Sequence, residues 1–334
     1  MKRFVAIAIL LVFIFSSFKW IDDFAALYPV YWPKPTYDFS KNKFSKEKVE
    51  LGRKLFYDPI FSKNNKISCA SCHSPYSSFA HIDHALSHGI DDSIGTRNAP
   101  VLINLAWQKY FMWDGSILNL DKQALTPITH PREMGESMNH VISKLQQSNV
   151  YPILFSKIYG DSLIKEDRVL KCITQFLISL VSCHSKYDSV MNHTASFTKQ
   201  EQNGYVLFKR NCAACHQEPL FTNNQFSKNE LAVNTSLLDF GRMNFTDDRK
   251  DSLLFKVPTL RNIEYSYPYM HDGRFTKLGD VLNHYVSIKP SVHNTKALQK
   301  GMKLSSNEKI DIIAFLLTLS DRNFIFNEEH LYPK

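Results

Sequence analysis

Two short segments of the 334-residue chain place paired thiols directly before an imidazole: Cys69-Ala-Ser-Cys72-His73 and Cys212-Ala-Ala-Cys215-His216. The spacing suits addition of two thiols across the two vinyl groups of one porphyrin, with the adjacent histidine reaching the iron from the proximal side. Cys69, Cys72, Cys212 and Cys215 are then the expected attachment thiols of two covalent haems c, and His73 and His216 the expected iron ligands. Zinc is the competing chemistry for Cys-x-x-Cys. It fails here because neither pair has a second Cys-x-x-Cys nearby to complete four ligands.

The remaining cysteines, Cys172 and Cys183, lie in a helical apolar pattern of Val169, Leu170, Ile173, Phe176, Leu177, Leu180 and Val181. Eleven helical residues would separate them by about 16 Å, beyond disulfide reach. They are expected to be packing thiols, although Cys183-His184 also offers a thiol–imidazole pair to a metal.

The elements that must position the two motifs follow a repeated order. Ser45 caps a helix running to about Tyr57, ahead of Cys69, and a loop bearing His81, His84 and His88 follows. A long helix is expected within residues 162–184, then a polar linker over 188–198. The capping box Thr198-x-x-Glu201 opens a helix that delivers Cys212. Leu278, Val281, Leu282 and Tyr285 write another helix, and the box Ser305-x-x-Glu308 begins the last, with Ile310, Ile313, Ala314 and Leu317 on one face. Residues 21–44 read as an irregular aromatic arm over the first half. No strand pattern is sustained. The expected fold is mostly α: two cytochrome c-like haem domains, residues 19–190 and 191–334, packed with the haems near their interface.

Composition is that of a folded globular protein, with 44% hydrophobic and 22% charged residues. The net charge of +8 contains no arginine-rich run and no nucleic-acid motif, so it reads as solvated surface and nucleic acid is not an expected partner. At the N-terminus, Lys2 and Arg3 precede an apolar run from Phe4 to Phe15 and then Ser16-Ser17. This is the pattern of an export signal over residues 1–18, with an uncleaved N-terminal membrane anchor as the alternative. Either way the folded part is expected outside the cytoplasm, in the periplasm.

Several further blocks resemble the bacterial di-haem cytochrome c peroxidases and their MauG-like relatives. They are Leu51-Gly-Arg-Lys-Leu-Phe56, Gly95-Thr-Arg-Asn-Ala-Pro100, Trp113-Asp-Gly115, Glu133-Met-Gly135, Val257-Pro-Thr-Leu-Arg-Asn262 and Tyr269-Met-His-Asp-Gly273. The resemblance runs from about Val49 to Leu319. It implies that the haem on His73 reacts with peroxide and that the haem on His216 accepts electrons. It also implies that Trp113 sits between the haems, that Glu133 is the distal acid and that Gln123 is a further distal-pocket residue. Asn98, with the carbonyls of Ser266 and Pro268, resembles the family's inter-haem calcium site; such oxygens suit Ca²⁺. A homodimer is a further expectation.

Two departures stand out against the family pattern. Many of these peroxidases place a second histidine on the peroxidatic iron, from the loop before the Asn-Ala-Pro block. Ile90 occupies that place here, with His88 two residues away as the alternative ligand, so the iron on His73 is expected to be open at rest. The expected sixth ligand of the His216 haem falls fourteen residues after His271, on Tyr285, where the simple peroxidases have Met. Met270, directly before His271, is the other candidate.

Three functions remain. One is a cytochrome c peroxidase reducing hydrogen peroxide to water with electrons from a small donor cytochrome. Another is a MauG-like oxidase acting on a protein or other substrate. The third is a simple di-haem electron carrier, against which Glu133 and Trp113 argue.

Overall fold

The computed structural model of the protein describes residues 24–333, so the expected export segment 1–18 lies outside the described residues. Five helices carry the architecture: α1 (Lys46–Tyr57), α2 (Glu166–Ser179), α3 (Lys199–Asn211), α4 (Leu278–Ser287) and α5 (Ser306–Leu317). The expected caps are in place. Ser45 accepts from the Lys48 N–H, and Thr198/Glu201 and Ser305/Glu308 form reciprocal capping boxes. The described strands are two-residue pairs, with Phe226 opposite Lys256 and Ser227 opposite Phe255.

Each half is built on one tight helix crossing. α1 meets α2 at Gly52, where an added Cβ would lie 1.9 Å from the Cys172 carbonyl oxygen. α3 meets α5 at Gly204, where a Cβ would lie 1.9 Å from the Asp311 carbonyl oxygen. Glycine is needed at both places because backbone meets backbone. Leu51, Leu55, Phe56 and Phe176 anchor the first core, and Leu207, Phe208, Phe315 and Leu316 the second.

Four local expectations change. α5 buries Ile312, Phe315 and Leu316, while Ile310 and Leu317, expected on its apolar face, are exposed. α2 stops at Ser179, before Cys183. Asn104 captures the chain there: its N–H donates to the Leu180 carbonyl at 2.9 Å, and its side chain bonds both backbone groups of Ser182. Cys172 and Cys183 are nonetheless both buried free thiols. The supposed linker begins with Asp188, which is buried in the helix Lys186–Met191 and takes a bidentate bond from the fully buried Arg261 at 2.8 and 2.7 Å. Sequence polarity could not distinguish that paired charge from a solvated one. The aromatic arm joins the first core through Phe24, Trp32 and Phe44, but Trp32 also lies against Arg261, 4.7 Å from ring centroid to guanidinium carbon. In return, Phe324 and Ile325, near the C-terminus, are buried in the first core.

Candidate functional site

Both Cys-x-x-Cys-His motifs close into the same turn. The N–H of His73 donates to the Cys69 carbonyl and that of His216 to the Cys212 carbonyl, each at 3.0 Å. Burial pushes the thiols of Cys69 and Cys212 up to about 12, so they stay protonated. All six cysteines are free.

The imidazoles are held alike. Nδ1 of His73 bonds the Phe79 carbonyl at 2.6 Å, and Nδ1 of His216 lies 3.2 Å from the Phe221 carbonyl and 3.1 Å from that of Pro258. As each carbonyl can only accept, Nδ1 must carry the proton and Nε2 is left free to bind a metal. Burial lowers His73 to about 4 and lowers His216 as well, keeping both neutral as ligands require. Phe79 and Phe221 adopt left-handed backbone, with φ of 58° and 53°, and both are fully buried. Ring burial, worth about 1.5–3 kcal/mol, offsets a conformational cost of about 1–2 kcal/mol.

A cavity opens in front of His216. Its walls include Cys212, Cys215, Met270, Leu282 and Tyr285, and it extends to Trp113. Tyr285 has no hydrogen-bond partner among the described residues, and burial, with Cys212 and Cys215 nearby, raises its pKa. The Met270 sulfur instead accepts from the Asn229 amide at 3.6 Å. His271 also lines this cavity, and its Nδ1 is buried and unpaired. Thiols, a free imidazole nitrogen and apolar walls together fit a covalently attached porphyrin.

Trp113 stands where the halves meet. Its Nε1–H donates to the Asn98 carbonyl at 2.8 Å, and its own carbonyl accepts from the Lys256 N–H at 2.7 Å. Arg97 clamps the neighbouring Asp114 at 2.7 Å and Asp239 at 2.6 Å. Asn98, Ser266 and Pro268, the expected calcium ligands, line the same cavity as Trp113. Gln123 ends the helix Leu120–Gln123, and its amide donates to the sulfur of Met112, beside Trp113.

Around His73, Glu133 is half-buried. Burial raises its pKa, and His130, with Nδ1 at 3.7 Å from the carboxylate, partly opposes that. The Cys72 thiol is pushed up to about 11, first by burial and then by the Glu133 charge, which puts Glu133 beside the attachment turn. Ile90 is buried and donates its N–H to the Glu133 carbonyl at 2.7 Å. His88 stacks on His84 at 4.1 Å. The histidine whose charge reaches His73 is His81, whose Nδ1 is buried without a partner.

Sequence reasoning passed over Lys256, Asn229 and His271. Two of them carried a signal: His271 stands in the Tyr269–Gly273 block, and Lys256 is a lysine in the otherwise uncharged Phe-Lys-Val-Pro run.

Two helical halves, each ending a helix near a thiol–imidazole turn and sharing a tryptophan at their junction, define a two-haem c-type cytochrome. Residues 46–196 match the family model of di-haem cytochrome c peroxidase, and residues 201–320 that of cytochrome c. The chain is 33% identical over 290 residues to the methylamine utilization protein MauG of Methylorubrum extorquens, covering 83% of this chain and 79% of that one. It is equally 33% identical over 285 residues to cytochrome c551 peroxidase of Nitrosomonas europaea, covering 81% and 79%. The crystal structure of a MauG-like protein associated with microbial copper homeostasis aligns with a TM-score of 0.84 at 28% identity, covering 91% of this chain and 98% of that one. The chain belongs to the di-haem cytochrome c peroxidase and MauG family, is an oxidoreductase, and has the two haem c cofactors that family implies.

Proposed function

We propose that the protein is an exported di-haem peroxidase that reduces hydrogen peroxide to water at the His73 site, with electrons entering through the His216 half from a small donor cytochrome. A haem held by His73 would pass to peroxide the two electrons received through the His216 half, and two protons would complete the two waters. Residues 19–190 are the peroxidatic half and 191–334 the electron-transfer half in this reading, and residues 1–18 direct export to the periplasm or anchor the chain there. Among the described residues no helix is long and apolar enough to cross a membrane.

The observation that carries the reading is Glu133, a half-buried carboxylate near Cys72 whose pKa is raised by burial. Its role is to take the proton from the inner peroxide oxygen and return it to the outer, leaving one. Ile90, whose N–H bonds the Glu133 carbonyl, offers no ligand atom, so in this reading an iron held by His73 would be open to peroxide at rest. Trp113 connects the halves, Gln123 supports the distal side, and Asn98, Ser266 and Pro268 hold Ca²⁺ between them.

Tyr285 favours a second reading, MauG-like oxidation of a protein or other substrate. An enclosed phenol without a hydrogen-bond partner is free to ligate iron, and a phenolate favours the oxidised metal. Steady-state peroxide turnover with reduced small cytochrome c tests the proposal. Turnover that depends on both peroxide and the donor supports it. A holoprotein that consumes peroxide but takes no electrons from any c-type donor moves the assignment to the second reading.

A further inference from the structure

Three cations surround the Trp113–Gly115 turn, and only two have a carboxylate. Arg97 bonds Asp114 and Asp239. Arg242 donates to the Asp114 carbonyl at 2.9 Å and pairs with Asp251 at 3.4 Å. Lys256 has no Asp or Glu partner among the described residues. Its ammonium donates to Gln108 Oε1 at 2.5 Å and to the Tyr110 carbonyl at 3.1 Å, both neutral oxygens. An ammonium has three donors, so one is left over. Burial alone lowers its pKa to about 8, with no neighbouring negative charge to resist.

A partly buried lysine whose ammonium has no counter-charge among the described residues points to a missing anion. The position says which. Lys256 lines the cavity walled by Cys212, Cys215 and His216. Its backbone is fixed on both sides, by the Trp113 carbonyl and by pairing with Phe226. A porphyrin tethered in that cavity brings two propionate carboxylates of its own. We propose that Lys256 is the cationic anchor for a propionate of the haem carried by His216, and that its charge holds up that haem's reduction potential. The inference rests on haem attachment at His216 and not on the peroxide chemistry.

The test is a spectroelectrochemical titration of the full holoprotein, following each haem separately, for wild type, Lys256→Met and Lys256→Arg. Loss of the cation favours ferric iron. In Lys256→Met the ferrous-to-ferric ratio of the His216 haem at fixed potential should fall about tenfold, or about 59 mV for a one-electron couple. The His73 haem should move far less, and Lys256→Arg should stay close to wild type. Equal shifts at both haems, a shift confined to the His73 haem, or no shift would overturn the proposal. If Lys256→Met fails to load haem, Lys256→Gln is read against the same outcomes. A wild type inert toward peroxide but showing the expected shift would count against the proposed function alone.

Discussion

The indole N–H of Trp113 donates to the backbone carbonyl of Asn98 at 2.8 Å, while the Asn98 N–H donates to the His271 carbonyl at 2.7 Å. Trp113 and His271 occupy matching turns of the two halves, each after a methionine with left-handed backbone and two residues before a glycine with the same sign of φ. One asparagine therefore ties the tryptophan of the first half to the second. Trp113→Phe keeps an aromatic ring, though a smaller one, and leaves that carbonyl without its donor. It should cost about 0.5–1.5 kcal/mol in denaturant titration and slow electron exchange between the haems in stopped-flow measurements.

Glu133→Gln preserves shape and removes the proton carrier. Peroxide turnover should fall by about two to four orders of magnitude, with haem content and resting spectrum unchanged. The wild-type rate should rise with pH through a value above the ordinary carboxylate range, since the first step needs the ionised form. A raised folded-state pKa in an acid means stability is lost as pH rises through it, so the variant should melt higher than wild type at neutral pH. An unaltered rate would return Glu133 to a surface role.

Asp188 works in the opposite sense. Burial acts to raise its pKa, but the Arg261 guanidinium and Ser185 outweigh it and hold the carboxyl below its ordinary value. Stability from this pair is present above the unfolded pKa of about 3.9 and is lost as pH falls through the lowered folded value. Asp188→Asn strands a fully buried cation and should cost about 3–5 kcal/mol at neutral pH. The difference from wild type should shrink in acid, read by thermal melts across pH.

Gly52→Ala and Gly204→Ala each force a methyl against a helix backbone. Each should cost about 1–3 kcal/mol, measured by denaturant titration of the holoprotein. Gly160→Ala is the contrast: an added methyl there meets nothing within 4 Å, although its φ of +80° adds backbone strain. Gly52 and Gly204 carry no such strain, so losses there no larger than at Gly160 would show that a small shift of the helices relieves the contact.

Tyr285→Phe decides between the two enzyme readings. With Tyr285 as ligand, the ferric near-infrared and magnetic spectrum of the His216 haem changes on substitution, and its reduction potential rises. A Met–His spectrum that survives would identify Met270 as the ligand and restore the simple peroxidase reading. The Asn229 contact to the Met270 sulfur is what Met270 would have to give up.

The Cys-x-x-Cys-His turns and most helix ends were legible in the chain because they are local. Cys69 to His73, Cys212 to His216, and the boxes at Thr198 and Ser305 need only neighbours within four residues to make their turns. The family blocks likewise placed Trp113 and Glu133 as candidates. What tertiary structure alone decided were the pairings between distant segments. The end of α2 at Asn104, the burial of Asp188 against Arg261, and the return of Phe324 to the first core each join residues far apart in sequence. So does the isolation of Lys256. A charge reads as solvated until the fold shows which atoms surround it, because solvation and pairing depend on distance in space, which composition and periodicity do not record.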